Sequence, residues 1–139
     1  MERNFSDPRT LRQMNEDFIR LQSIRAELVK VFEAGSTVDP KTLKSSSSEI
    51  RKRATRLRTM LSLTEVRSEV DITRERNATI LSINKRAFDL CLEVSRFTGN
   101  PLFKGKVIVI AHARDASRSL DAVIAIAEAL QRESSQLIH

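Results

Sequence analysis

The chain has 139 residues, 30% of them charged and 4% aromatic, with three Gly, three Pro and a formal charge of +6. That length suits one domain burying roughly two thirds of its unfolded surface without a staple, and so few turn-forming residues exclude an all-β fold built on tight turns. The longest uninterrupted apolar run, Ala122 to Ala127, with Val107 to Ala111 next, falls far short of the roughly 20 residues a membrane span needs.

The opening stretch MERNFSDPRT is polar and lacks the apolar core of a secretory signal. Cys91 is the single cysteine and has no partner for an internal disulfide; in its apolar surroundings a thiol behaves as a small hydrophobe. Both features point to a reducing, cytoplasmic compartment.

Asp7 followed by Pro8 reads as a helix start, because the carboxylate accepts from free backbone N–H groups and proline has no N–H to leave unpaired in the first turn. Leu11, Met14, Phe18, Leu21, Leu28 and Phe32 then recur at three- and four-residue steps, with Arg25 at one seam position. The spacing predicts a first helix over 8–34, ended by Gly35 as a left-handed C′ residue. Asp39 and Pro40 repeat the start signal after a link short enough to make the first two helices antiparallel neighbours.

The second predicted helix, 40–62, carries Leu43, Ser47, Ile50, Ala54, Leu57 and Leu61 on one seam. Ser46 with Glu49 also reads as a capping box that would start the helix at Ile50. The continuous helix is the expected form, since Leu43 and Ser47 keep the seam in phase. No Gly or Pro lies between Ser62 and Thr73, only polar cap candidates, and the next turn is expected within that window. The pattern resumes over 72–98 with Ile80, Ile83, Ala87, Leu90, Val94 and Phe97, widened by Phe88 and Cys91, and stops at Gly99, Asn100 and Pro101.

The last predicted helix, 106–137, contains KVIVIAHARDASRSLDAVIAIAEAL, without Gly or Pro and apolar on more than one face. Val107, Ile110, Leu120, Ile124 and Ala127 form one seam, while Ile108, Ala111, Ala122, Ile126 and Ala129 lie off it. A helix that only caps a core shows a single apolar stripe about 100° wide. The last helix is therefore expected to be the most buried of an all-α, antiparallel up-down-up-down four-helix bundle forming one domain over 1–139. Its second stripe, with Ile108, Ala122 and Ile126, is expected to meet a second copy, because a monomer does not leave a large apolar patch uncovered.

Nearly all the excess charge falls in 39–62, where seven basic residues stand against Asp39 and Glu49. Lys44, Arg51, Lys52, Arg53, Arg56 and Arg58 spread over the whole solvent side of the second helix instead of forming one stripe. Such a surface suits an acidic protein partner and permits nucleic acid through phosphate contacts. With no Trp or Tyr, aromatic platforms for stacking single strands are missing.

His112 is flanked by Ala111, Ala113 and Ala116, with Arg118 as a nearby cation. Small neighbours and a cation on a bundle helix loosely resemble histidine phosphotransfer domains, and the resemblance implies His112 as a phospho-acceptor. Those domains place a lysine three residues after the histidine and a glycine next, where this chain has Asp115 and Ala116. The polar insert from Arg114 to Asp121 is expected to face outward, where Arg118 can pair with Asp115 or Asp121. Cys91, His112 and His139 with no Glu-x-x-His motif do not make a metal set, and no glycine-rich phosphate loop or inward carboxylate pair is present. The sequence thus reads as a non-enzymatic interaction or assembly module without cofactor, forming a homo-oligomer.

Overall fold

The computed structural model describes residues 8–61, 77–100 and 110–138. It contains four helices, α1 (Pro8–Glu33), α2 (Pro40–Met60), α3 (Ile80–Thr98) and α4 (Ile110–Gln136), and no strand among the described residues. The stop after α1 is chemical: Gly35 adopts φ 75°, which favours glycine, and the next N–H, that of Ser36, returns to the Val31 carbonyl at 3.1 Å. Asp39 then caps α2, its carboxylate accepting from the Thr42 N–H at 3.0 Å with Pro40 beside it.

α2 runs unbroken through the four serines. Ser47 fits the core seam because it is small and satisfies its own hydroxyl, which donates to the Lys44 carbonyl at 3.1 Å while fully buried. α3 starts later than its apolar rhythm suggests. Residues 77–79 are non-helical, and Thr79 forms a reciprocal box with Ser82, the Ser82 N–H bonding the Thr79 hydroxyl at 3.0 Å and the Thr79 N–H bonding the Ser82 hydroxyl at 2.8 Å. Residues 72–76, expected in this helix, and 106–109, expected in α4, lie outside the described residues.

The helices form a square in which α1 and α4 sit across one diagonal and α2 and α3 across the other. Pairs of residues fix the directions. Arg20 meets Glu49 while Asp17 meets Arg56, so α1 and α2 are antiparallel. Phe18 meets Phe97 and Phe32 meets Phe88, each with ring centroids 6.1 Å apart, so α1 and α3 are antiparallel too. Arg58 with Asp121 and Arg51 with Glu128 set α4 against α2.

Every neighbouring pair is therefore antiparallel, as expected, but the order along the chain is up-down-down-up instead of up-down-up-down. α2 and α3 run the same way across the diagonal. The start of α3 lies beside the start of α2, where the Asn84 side chain bonds Val38, so the end of α2 and the start of α3 stand at opposite ends of the bundle.

This order explains the two stripes of α4. Turning about 100° per residue from Leu120, its buried positions run from about 180° at Ala129 through Leu120 itself to about 60° at Ser117, roughly two thirds of the circumference. One side meets α2 and the other α3. The core they enclose is aliphatic, built from Leu21, Leu43, Ile50, Leu57, Ile83, Leu90, Val94, Leu120 and Leu130 around Phe97, the one buried aromatic among the described residues.

Candidate functional site

Two surfaces stand out from this frame, one charged and one apolar. The charged one lies along the α1–α2 seam. Asp17 is a fully buried carboxylate in the first half of α1. It accepts from Arg53 Nη1 at 2.9 Å, from Arg56 Nε at 2.8 Å and Nη2 at 2.6 Å, and from Gln13 at 3.1 Å. One helical turn along, Glu49 accepts from Arg20 Nε at 2.7 Å and from Arg53 Nε at 2.9 Å. Arg53 thus bridges both carboxylates. The bonds from Arg20, then those from Arg53, hold the Glu49 carboxyl below its usual range. Burying a carboxylate costs several kcal/mol unless its lone pairs are filled, and Asp17 fills them from three side chains.

Beside this network is an open cleft of about 410 Å³ lined by Gln13, Glu16, Glu49, Lys52, Arg53 and Arg56. Its wall carries both signs of charge, and two of its three cations already face carboxylates. That arrangement knits two helices together and gives weak selection for a free anion.

The basic surface expected on α2 is thereby largely accounted for. Arg53 and Arg56 serve Asp17, Arg58 reaches Asp121 at 3.2 Å, and Arg51 approaches Glu128 at 3.9 Å, a loose pair between half-exposed side chains. Lys44 and Lys52 remain exposed. The excess positive charge of α2 answers the acids of α1 and α4. On α4, Arg114, Asp115 and Arg118 are exposed, and Asp121 faces α2. His112 lies on the first turn of α4, and its side chain falls outside the described residues.

Of the three positions expected at a copy-to-copy contact, Ile108 lies outside the described residues. Ala122 and Ile126 are 2% and 3% exposed within the single chain. They share a helical face with Glu133, whose carboxylate bonds Arg86 of α3. From Ala122 onward the second stripe of α4 is therefore turned inward against α3 and is not an outer face.

The outward apolar face belongs to α3. Leu81, Phe88 and Leu92 are 76%, 49% and 44% exposed. Steps of seven and then four residues bring the three within an arc of about 40°, one stripe along the helix. It lies on the side of α3 nearer α1, where Phe88 leans its ring edge-on against Phe32. The same steps trace, in the sequence, a second seam beside the core seam. Phe88 taken alone reads as a widening of the core stripe, and this conceals the seam.

Behind the stripe, Cys91 is a free, buried thiol, and desolvation pushes its pKa up to about 11 against the opposing pull of Arg25. Among the described residues no group of three or more His, Cys, Asp or Glu side chains gathers to hold a metal ion, and no helix is long and apolar enough to cross a membrane. No protein-family model, curated protein or solved structure matches this chain.

Proposed function

We propose that the chain is a non-enzymatic helical-bundle interaction module that associates with itself through the outer face of α3. The observation that carries this reading is the exposed stripe of Leu81, Phe88 and Leu92. Single exposed hydrophobic residues are ordinary on a protein surface, but aligned ones at helical spacing form the seam a partner helix covers. The charged groups support the assembly reading in a different way. Asp17 with Arg53 and Arg56, and Glu49 with Arg20, hold α1 to α2, so these charges are taken up within the chain and the apolar stripe of α3 is the surface left for a partner.

Light scattering on a sizing column tests the proposal. The expected molar mass is at least twice the 15.8 kDa of one chain, unchanged at high salt, since apolar burial is not screened. Leu92→Glu places a charge in the seam and should return the protein to one chain per particle with its helical circular dichroism intact. A wild-type protein that stays monomeric at every concentration overturns the proposal.

A further inference from the structure

This inference rests on self-association through α3 and adds the geometry of the pair. Lys85 and Asp89 are both exposed, and neither has an ion-pair partner among the described residues. Lys85 is turned about 40° from Leu81 around the helix and Asp89 about 80° in the same sense, so both stand on one flank of the apolar stripe. Two antiparallel helices related by a twofold axis set the same flank of each against the other, and each contact is made twice.

Such an axis has one natural position here. The midpoint of Lys85 and Asp89 is residue 87. The midpoint of Leu81 and Leu92 falls between residues 86 and 87, less than about 1 Å away along a helix that rises about 1.5 Å per residue. A single twofold beside residue 87 therefore brings Leu81 against Leu92 of the other copy, places the two Phe88 rings near the centre, and sets Lys85 opposite the second copy's Asp89 on both sides. A parallel pair would put the charged flanks on opposite sides of the seam, leaving Lys85 and Asp89 of one copy without those of the other to face.

We infer that the occupant of the α3 stripe is a second copy of this chain, docked antiparallel about a twofold axis beside residue 87, with Lys85 and Asp89 paired across it. The charges select the register and orientation, and the apolar stripe supplies most of the affinity.

Charge reversal tests this with the full chain. Lys85→Asp puts two acids opposite one another twice, and Asp89→Lys puts two bases there twice. Each should raise the dimer dissociation constant, read by sedimentation or concentration-dependent light scattering, at least about fivefold. The double variant Lys85→Asp with Asp89→Lys should return to within about twofold of wild type. Mixing the two single variants should recover the dimer as a heterodimer, because each then presents to the other the charges it lacks; a change confined to one helix gives no such recovery. Both sites are exposed, so circular dichroism should be unchanged throughout. If the single reversals have no effect, or if mixing does not restore association while Leu92→Glu still dissociates the wild type, the antiparallel register is wrong and the α3 surface stands. If the wild type is monomeric, both fail.

Discussion

The side-chain amide of Asn84 closes on the backbone of Val38 from both sides, Oδ1 accepting from its N–H at 2.7 Å and Nδ2 donating to its carbonyl at 3.0 Å. The same Nδ2 also bonds the Ile80 carbonyl at 2.8 Å. One buried amide therefore ties the link between α1 and α2 to the first turn of α3. Asn84→Ala removes these bonds and leaves the Val38 backbone groups buried without partners, which costs about 1 to 3 kcal/mol for each group stranded. Urea unfolding should show a loss of about 2 to 4 kcal/mol. A loss no larger than that of an ordinary exposed substitution would mean that water takes over the amide's place.

Asp17 offers a second, sharper test. Its carboxylate is fully buried while Arg53 and Arg56 keep some contact with solvent, at 18% and 38% exposure. Removing the acid lets both guanidiniums turn outward, so Asp17→Asn should cost about 2 to 3 kcal/mol, below the usual range for breaking a buried pair. Arg56→Met should cost less than Asp17→Asn, because Arg53 and Gln13 still serve the carboxylate. The reverse ranking would show that Asp17 is held mainly by Arg56.

Acid should weaken the α1–α2 seam. Bonds from Arg20 hold the Glu49 carboxyl below its ordinary value of 4.5, and the Thr42 side chain, then its backbone N–H, hold that of Asp39 below 3.8. Both pKa values are depressed in the folded chain. Their contribution is therefore complete above about pH 4.5 and is lost as the pH falls through the folded values. Glu49 and Arg20 are each about a third exposed, which limits this pair to less than about 1 kcal/mol. Thermal midpoints measured from pH 7 down to about pH 2.5 should show Glu49→Gln below wild type at neutral pH and converging with it in acid. Parallel curves at all pH values would mean that the charge on Glu49 contributes nothing.

Cys91 reports on the core behind the α3 stripe. With its thiol pushed up to about 11 and its side chain buried, almost none is thiolate at pH 8, and the thiolate is the reactive form. A thiol reagent such as DTNB should react with the native protein far more slowly than with the urea-unfolded chain. Prompt reaction in the native state would show that α3 opens readily away from α1.

Local chemistry is easy to read in the sequence, and partnership is not. Asp39 with Pro40, and Gly35 before them, declare their roles because a cap and a left-handed turn are decided within four residues. The start of α3 is hidden because its box uses Thr79 and Ser82 in place of the usual Ser or Thr with Glu or Gln, while Ile72 and Ile80 hold a helical phase across the break. The two stripes of α4 are legible, but their covers are not. Hydropathy shows that Ala122 and Ile126 need burial without showing whether α3 or another molecule provides it. Asp17 with Arg56, and Arg20 with Glu49, join residues 39 and 29 positions apart, so no local pattern announces them. The direction of α3 depends on the end of the bundle at which it begins, and helix periodicity is blind to that.

The place of α4 between α2 and α3 also bears on how the chain comes into being. A ribosome that has released the protein as far as Asn100 has exported three helices, two of which, α2 and α3, lie across a diagonal and offer each other little cover. Their apolar faces wait for a wall that has not yet been made. Until α4 emerges, the faces of α2 and α3 that it covers stand open to solvent, and exposed apolar surface of that kind is what makes an incomplete chain prone to aggregate.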